Sequence, residues 1–131
     1  MRGRGSRSRP TASRADMRRG DIVTVNLDPV RGSEASKLRP AVVVSNDAAN
    51  ATAARLGRGV ITVVPVTSNT ERVYPFQVLL PAAATGLRSD SKAQAEQIRS
   101  VALERIGRPV GRLSPALLAD LDTALKVHLS W

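Results

Sequence analysis

Cysteine is absent from the 131 residues, which removes disulfides, thiolate nucleophiles and cysteine metal sites together. Histidine is almost absent. The single His128 lies in the last turn of a C-terminal helical pattern, where the helix dipole favours a cation, and two imidazoles cannot share acid and base duties within one chain. Aromatic residues are scarce: Tyr74, Phe76 and Trp131 are the whole set. A platform of rings for stacking bases is therefore poorly supplied, so any nucleic acid must be held by hydrogen bonds and charge. Asp21, Asp28, Asp47, Asp90, Asp120 and Asp122 show no ligand spacing, and neither metal nor cofactor is expected. The serines have no Gly-x-Ser-x-Gly elbow, and Gly57-Arg58-Gly59 and Gly107–Gly111 are not phosphate loops. No apolar run approaches the roughly 18 residues of a membrane span. The basic N-terminus has no hydrophobic segment of the secretory type. A soluble cytoplasmic protein is the expectation.

What is abundant is positive charge. The net charge is +9, a balance that favours a polyanionic partner and salt-sensitive association. Residues 1–16 carry +4 of it through Arg2, Arg4, Arg7, Arg9 and Arg14 against Asp16, leaving +5 for the remainder. Rich in Arg, Ser, Gly and Pro, that segment cannot bury a core and reads as a disordered basic tail, either an RNA-binding arm or a solvated leader ahead of Met17. Residues 17–131 form one domain of ordinary size.

From Gly20 the pattern is β. Val23, Val25 and Leu27 alternate with Thr24 and Asn26 in a half-buried strand that stops at Asp28-Pro29. Pro40 opens a second run through Ser45, and residues 46–58 suit a surface loop or a short helical turn. Residues 60–66 are the most apolar run, a central strand ending near Pro65. Phe76, Val78 and Leu80 alternate through a fourth strand. Residues 93–105 favour a helix by propensity, though packing context overrides propensity in strands. Ser114 and Pro115 make a good helix start, and Leu117, Leu118, Leu121, Leu125 and Leu129 then share one face, with Leu113 and Leu118 spaced as a hydrophobic staple. Short strands followed by one amphipathic helix point to a compact β barrel packed by that helix.

Elimination leaves the loop between the first two strands, which holds Arg31, Ser33, Glu34, Ser36, Lys37 and Arg39. Cleaving RNA without metal needs a base for the 2′-hydroxyl and cationic groups on the phosphate; a carboxylate and an arginine five residues apart are chemically suited to both. Charged loops are commonly just solvated, so composition alone assigns this one no task.

The wording of the loop and its neighbours goes further. Arg19-Gly20-Asp21-Ile22-Val23, Leu27-Asp28-Pro29, Gly32-Ser33-Glu34, residues 39–47 (Arg-Pro-Ala-Val-Val-Val-Ser-Asn-Asp) and Val64-Pro65-Val66-Thr67-Ser68 occur in order, followed by Tyr74-Pro75-Phe76 and Ala95-Glu96-Gln97-Ile98-Arg99-Ser100. Together they resemble the MazF/PemK (Kid) toxin family, its actinobacterial members above all, from about Met17 to the last helix. The resemblance implies an SH3-like barrel with a C-terminal helix, a homodimer, and metal-independent cleavage of single-stranded RNA. It also implies control by a MazE-like antitoxin whose acidic tail covers the RNA groove. By the same resemblance residues 93–101 become a strand, Arg39 and Thr67 occupy catalytic positions, and Glu34 occupies that of the base. The products would be a 2′,3′-cyclic phosphate and a 5′-hydroxyl. Ser33, Lys37, Ser68, Asn69, Gln94, Glu96 and Gln97 are the candidates for reading RNA bases, with Tyr74 and Phe76 assigned to packing. Thr24 and Asn26 depart from the aromatic or acidic residues frequent in the family's first strand. Two other readings stay open: a CcdB-like gyrase inhibitor acting through its terminal helix, and a non-catalytic SH3-like RNA-binding module.

Overall fold

The computed structural model describes residues 17–27 and 38–131; the basic tail and the loop residues Ser33, Glu34 and Lys37 lie outside them. The described strands are β1 (Asp21–Asn26), β2 (Leu38–Val43), β3 (Val60–Thr67), β4 (Gln77–Leu80), β5 (Ser91–Gln94), β6 (Arg99–Ala102) and β7 (Ile106–Arg112). The helices are α1 (Asp47–Leu56), α2 (Ala82–Thr85) and α3 (Pro115–Leu129), with short 3-10 turns at Ala95–Gln97 and Leu103–Arg105. The strands form one antiparallel sheet in the order β4-β5-β3-β2-β1-β7, with β6 also paired to β3. Among the described residues β4 and β7 do not pair with each other, so the sheet is open.

Alternation along the strands fills both faces. Ile22, Val42 and Val64 stand in one cross-strand row and join a core completed by Leu80, Ala93, Leu121 and Leu125. Val23, Val25, Ala41, Val43 and Val63 point the other way, into a second core with Met17, Ala53, Val101, Leu103 and Ile106. Each fully buried Leu, Ile or Val stabilises this arrangement by about 1.5–3 kcal/mol. No helix among the described residues is long and apolar enough to cross a membrane.

Helix α3 starts as its sequence predicts: the Ser114 side chain accepts from the Leu117 N–H and Pro115 opens the helix. Leu121, Ala124 and Leu125 are buried, and Leu113 is buried just before the cap. Leu129 departs from the expectation. It is 38% exposed beside exposed Val127 and Trp131, because the last turn lies outside the packed surface.

Three other expectations change. Residues 46–58 contain a full helix, α1, since Asn46 Oδ1 caps the Ala49 N–H and Gly57 closes the C-terminus at φ 71°. Strand β3 runs through Pro65 to Thr67 rather than ending there. Residues 93–101 are strand at both ends but break at the Ala95–Gln97 turn, where Ile98 N–H donates to Ala95 O. Helical propensity and strand packing both act on that stretch, each over part of it.

Candidate functional site

Strands β1, β2, β3 and β7 and the loop from α2 to β5 contribute to one depression in the surface. The result is a cleft of about 700 Å³. Thr24 comes from β1, Leu38, Arg39 and Pro40 from β2, Val66 and Thr67 from the end of β3, and Arg108, Pro109 and Val110 from β7. Ser68 follows β3, and Gly86, Leu87, Arg88 and Ser89 belong to the α2–β5 loop, which leads to Ser91. The end of α2, from which that loop departs, is drawn tight against β7: a Cβ on Gly111 would stand 2.2 Å from the Thr85 carbonyl oxygen. Glycine is required there by close approach.

The β2–β3 register is what joins the two principal candidates. Ala41 pairs with Pro65, and carrying that register two residues further sets Arg39 opposite Thr67. Thr67 Oγ1 accepts the Asn69 N–H at 3.2 Å, which leaves its own hydrogen free to donate. Ser68 lines the same cleft.

The electrostatics are one-sided. Arg39, Arg88 and Arg108 all line the cleft, and no Asp or Glu does among the described residues. None of the three guanidinium groups has a hydrogen-bond or ion-pair partner among the described residues. The nearby Asp90 is turned to another task, its Oδ1 accepting the Ala82 N–H at the start of α2. Unpaired guanidinium groups beside serine and threonine hydroxyls are suited to phosphate oxygens, which they can grip in pairs. No group of three His, Asp or Glu side chains among the described residues is placed to hold a metal ion.

Other candidates fall elsewhere. Gln94, Glu96 and Gln97 do not line the cleft. Glu96 instead braces the segment before β4: its Oε2 accepts from Gln77 Nε2 at 2.8 Å, and Gln77 Oε1 accepts the Tyr74 N–H. Its other oxygen, Oε1, is buried without a partner among the described residues. Buried Lys92 donates to the Arg72 carbonyl and ties down the same segment. Tyr74 and Phe76 stack on each other at 5.3 Å, but Tyr74 is 41% exposed and neither ring enters the two cores. Arg88 and Arg108 escaped sequence reasoning. The one available signal was an arginine without a carboxylate partner, which a sequence does not display.

An antiparallel sheet packed by a C-terminal helix, with arginines and hydroxyls facing a cleft that no acid lines among the described residues, defines a small, mainly β protein with a basic cleft. The family can be stated directly. Residues 18–129 match the family of PemK-like, MazF-like toxins of type II toxin–antitoxin systems, and the chain belongs to it. It is 74% identical to endoribonuclease MazF9 of Mycobacterium tuberculosis over 113 residues, covering 86% of this chain and 96% of that one. Its fold is similar to a MazE–MazF complex from Deinococcus radiodurans, with TM-score 0.68, 28% identity and coverage of 87% and 96%. An endoribonuclease in complex with its cognate antitoxin, from a mycobacterial species, has the same fold at 24% identity, TM-score 0.68 and coverage of 87% and 95%.

Proposed function

We propose that the chain is an endoribonuclease toxin that cuts single-stranded RNA in this cleft without a metal ion. The observation that carries the reading is the convergence of Arg39 and Thr67 on a cleft lined by three unpaired arginines and no acid among the described residues. The family and the endoribonuclease named at 74% identity support it.

In the reaction the 2′-hydroxyl oxygen attacks the neighbouring phosphorus and the bond from phosphorus to the 5′ oxygen breaks. Glu34 accepts the hydroxyl proton, and a proton from water reaches the departing 5′ oxygen. Arg39 stabilises the charge that builds on the phosphorane and Thr67 donates to one of its oxygens. An arginine, with a pKa above about 12, is suited to stabilising charge rather than giving up a proton. The products are a 2′,3′-cyclic phosphate and a 5′-hydroxyl. Ser33, Lys37, Ser68 and Asn69 contact the bases near the cut, and Gln94, Glu96 and Gln97 reach RNA beyond the cleft.

The finer architecture is an SH3-like barrel of the MazF/Kid/CcdB type, a reading supported by β3 carrying β2 on one edge and β5 and β6 on the other. The chain works in the cytoplasm as a homodimer. An acidic MazE-like antitoxin neutralises it by laying carboxylates where RNA phosphates would lie, a contact the cleft's charge favours. Gyrase inhibition through α3 would leave the cleft without a task.

The test is incubation of the purified chain with a long single-stranded RNA in excess chelator, followed by mapping of the new ends. Discrete cuts at a short word, leaving cyclic phosphates, are expected. Intact RNA that stays tightly bound would sink the enzyme reading in favour of a binding module, and loss of gyrase supercoiling would favour the inhibitor.

A further inference from the structure

The pairing of β1 with β7 contains an irregularity that bears on the cleft. Val25 pairs with Ile106 and Val23 with Pro109, so a single residue of β1, Thr24, faces two residues of β7, Gly107 and Arg108. This is a β-bulge, which leaves one residue without its ladder partner and re-aims the side chains around it. The orphaned amide is not left empty. The Arg108 N–H donates to Thr24 Oγ1 at 3.0 Å. Slipping the bond to the next residue is impossible, because Pro109 has no N–H.

Gly107 completes the interlock. A Cβ built there would lie 2.1 Å from Thr24 Oγ1, so the hydroxyl occupies the space in which any side chain would begin. Threonine is β-branched and stiff about χ1, which holds the hydroxyl in that space. Arg108 is thereby fixed at its backbone on the cleft wall, while its guanidinium stays exposed and has no partner among the described residues.

We propose that Arg108 is a phosphate-binding residue of the RNA cleft and that Thr24 is the positioning residue that aims it. The inference rests on the RNA reading above and assigns a second contact within that site. Strand β1 lies between β2 and β7, so Arg108 starts about two strand spacings, roughly 10 Å, from Arg39. It therefore meets a phosphate beside the one that is cut. Its contribution belongs to binding and not to the chemical step.

The experiment is steady-state cleavage of a single-stranded RNA oligonucleotide at several salt concentrations, with thermal melting of each variant. Cleavage by the unaltered chain is expected; its absence would overturn the RNA reading and this one with it, whereas cleavage that Arg108→Ala leaves unaltered would overturn this one alone. Arg108→Ala should raise KM about five- to tenfold, keep kcat within about twofold, and flatten the dependence of log(kcat/KM) on log salt by about 0.7, the loss of one single-strand phosphate contact. Arg108→Lys should restore the salt dependence more fully than KM. Thr24→Val keeps the shape and loses the hydroxyl, and should raise KM about two- to fivefold; Thr24→Ser should behave as the unaltered chain. Gly107→Ala, which evicts the same hydroxyl from the other side, should match Thr24→Val. If Gly107→Ala melts too low to assay, the valine and serine pair decides the matter. An unchanged KM and salt slope in Arg108→Ala would overturn the phosphate contact, as would a fall confined to kcat. Thr24→Val indistinguishable from the unaltered chain, or Thr24→Ser as impaired as Thr24→Val, would overturn the positioning role.

Discussion

The arginines of this chain divide into two populations. Arg19 is held on several sides: its Nε donates to the Val44 carbonyl at 2.9 Å, its guanidinium pairs with Asp122 of α3, and its backbone N–H reaches Asp47 of α1. Arg112 pairs with Asp21 across β7 and β1, and Arg105 donates to the Asn26 carbonyl. Arg39, Arg88 and Arg108 instead face one cleft without such partners among the described residues. Net charge treats all of them alike. Their partners distinguish them: a paired arginine helps to set the fold, and one without a partner among the described residues is available to an anion.

Substitutions should separate the two groups. The largest effect belongs to Arg39→Ala, expected to lower kcat/KM on single-stranded RNA by about 10²–10³, the scale for losing one charge-stabilising donor, with an unchanged melting temperature. Full cleavage by this variant would remove Arg39 from the mechanism. Arg19→Ala should do the reverse. Urea unfolding is expected to show a loss of about 1–2 kcal/mol, reduced from the value for a buried charged hydrogen bond because Arg19 and Asp122 are partly exposed, while activity per folded molecule holds. Arg88→Ala is expected to raise KM about threefold and to weaken the salt dependence without touching stability; an unchanged salt slope would move Arg88 out of the binding group. Arg112→Ala is the smallest. Its side chain is 58% exposed, so the ion pair with Asp21 should contribute under about 0.5 kcal/mol, and a larger shift in urea midpoint would place Arg112 with Arg19.

Much of the fold was legible in the sequence because its signals are local. Alternation announced β1, a continuous apolar run announced β3, and Ser114-Pro115 announced α3. Helix α1 has equally local signals in Asn46 and Gly57, but its Ala and Asn content suits a loop as well. The stretch around Ala95–Gln97 could not be read because the decision depends on where β5 and β6 meet β3. For the candidate site, Arg39 and Thr67 came through resemblance, and the pairing of β2 with β3 brings both to the lining of one cleft. Arg88 and Arg108 were hidden for two physical reasons. A bulge is a mismatch between strands distant in sequence, and a guanidinium's lack of partners is a property of three-dimensional neighbours. Thr24 looked like a simple departure from the family pattern; opposite Gly107 and Arg108 it has a definite bonding role.

Proline at position 65 is a conspicuous choice inside the central strand. On one edge β3 pairs with β6 through Val60–Val63 and with β5 through Val66–Thr67, so Pro65 falls in the interval where one neighbour has ended and the next has begun. A residue without an N–H is least costly at such a place. The strand thus serves two neighbours in turn, its first half packed in the second core and its far end reaching Thr67 at the cleft. On its other edge β2 pairs across the same point, Ala41 with Pro65 and Val43 with Val63, so the strand carries its proline without a break in the sheet.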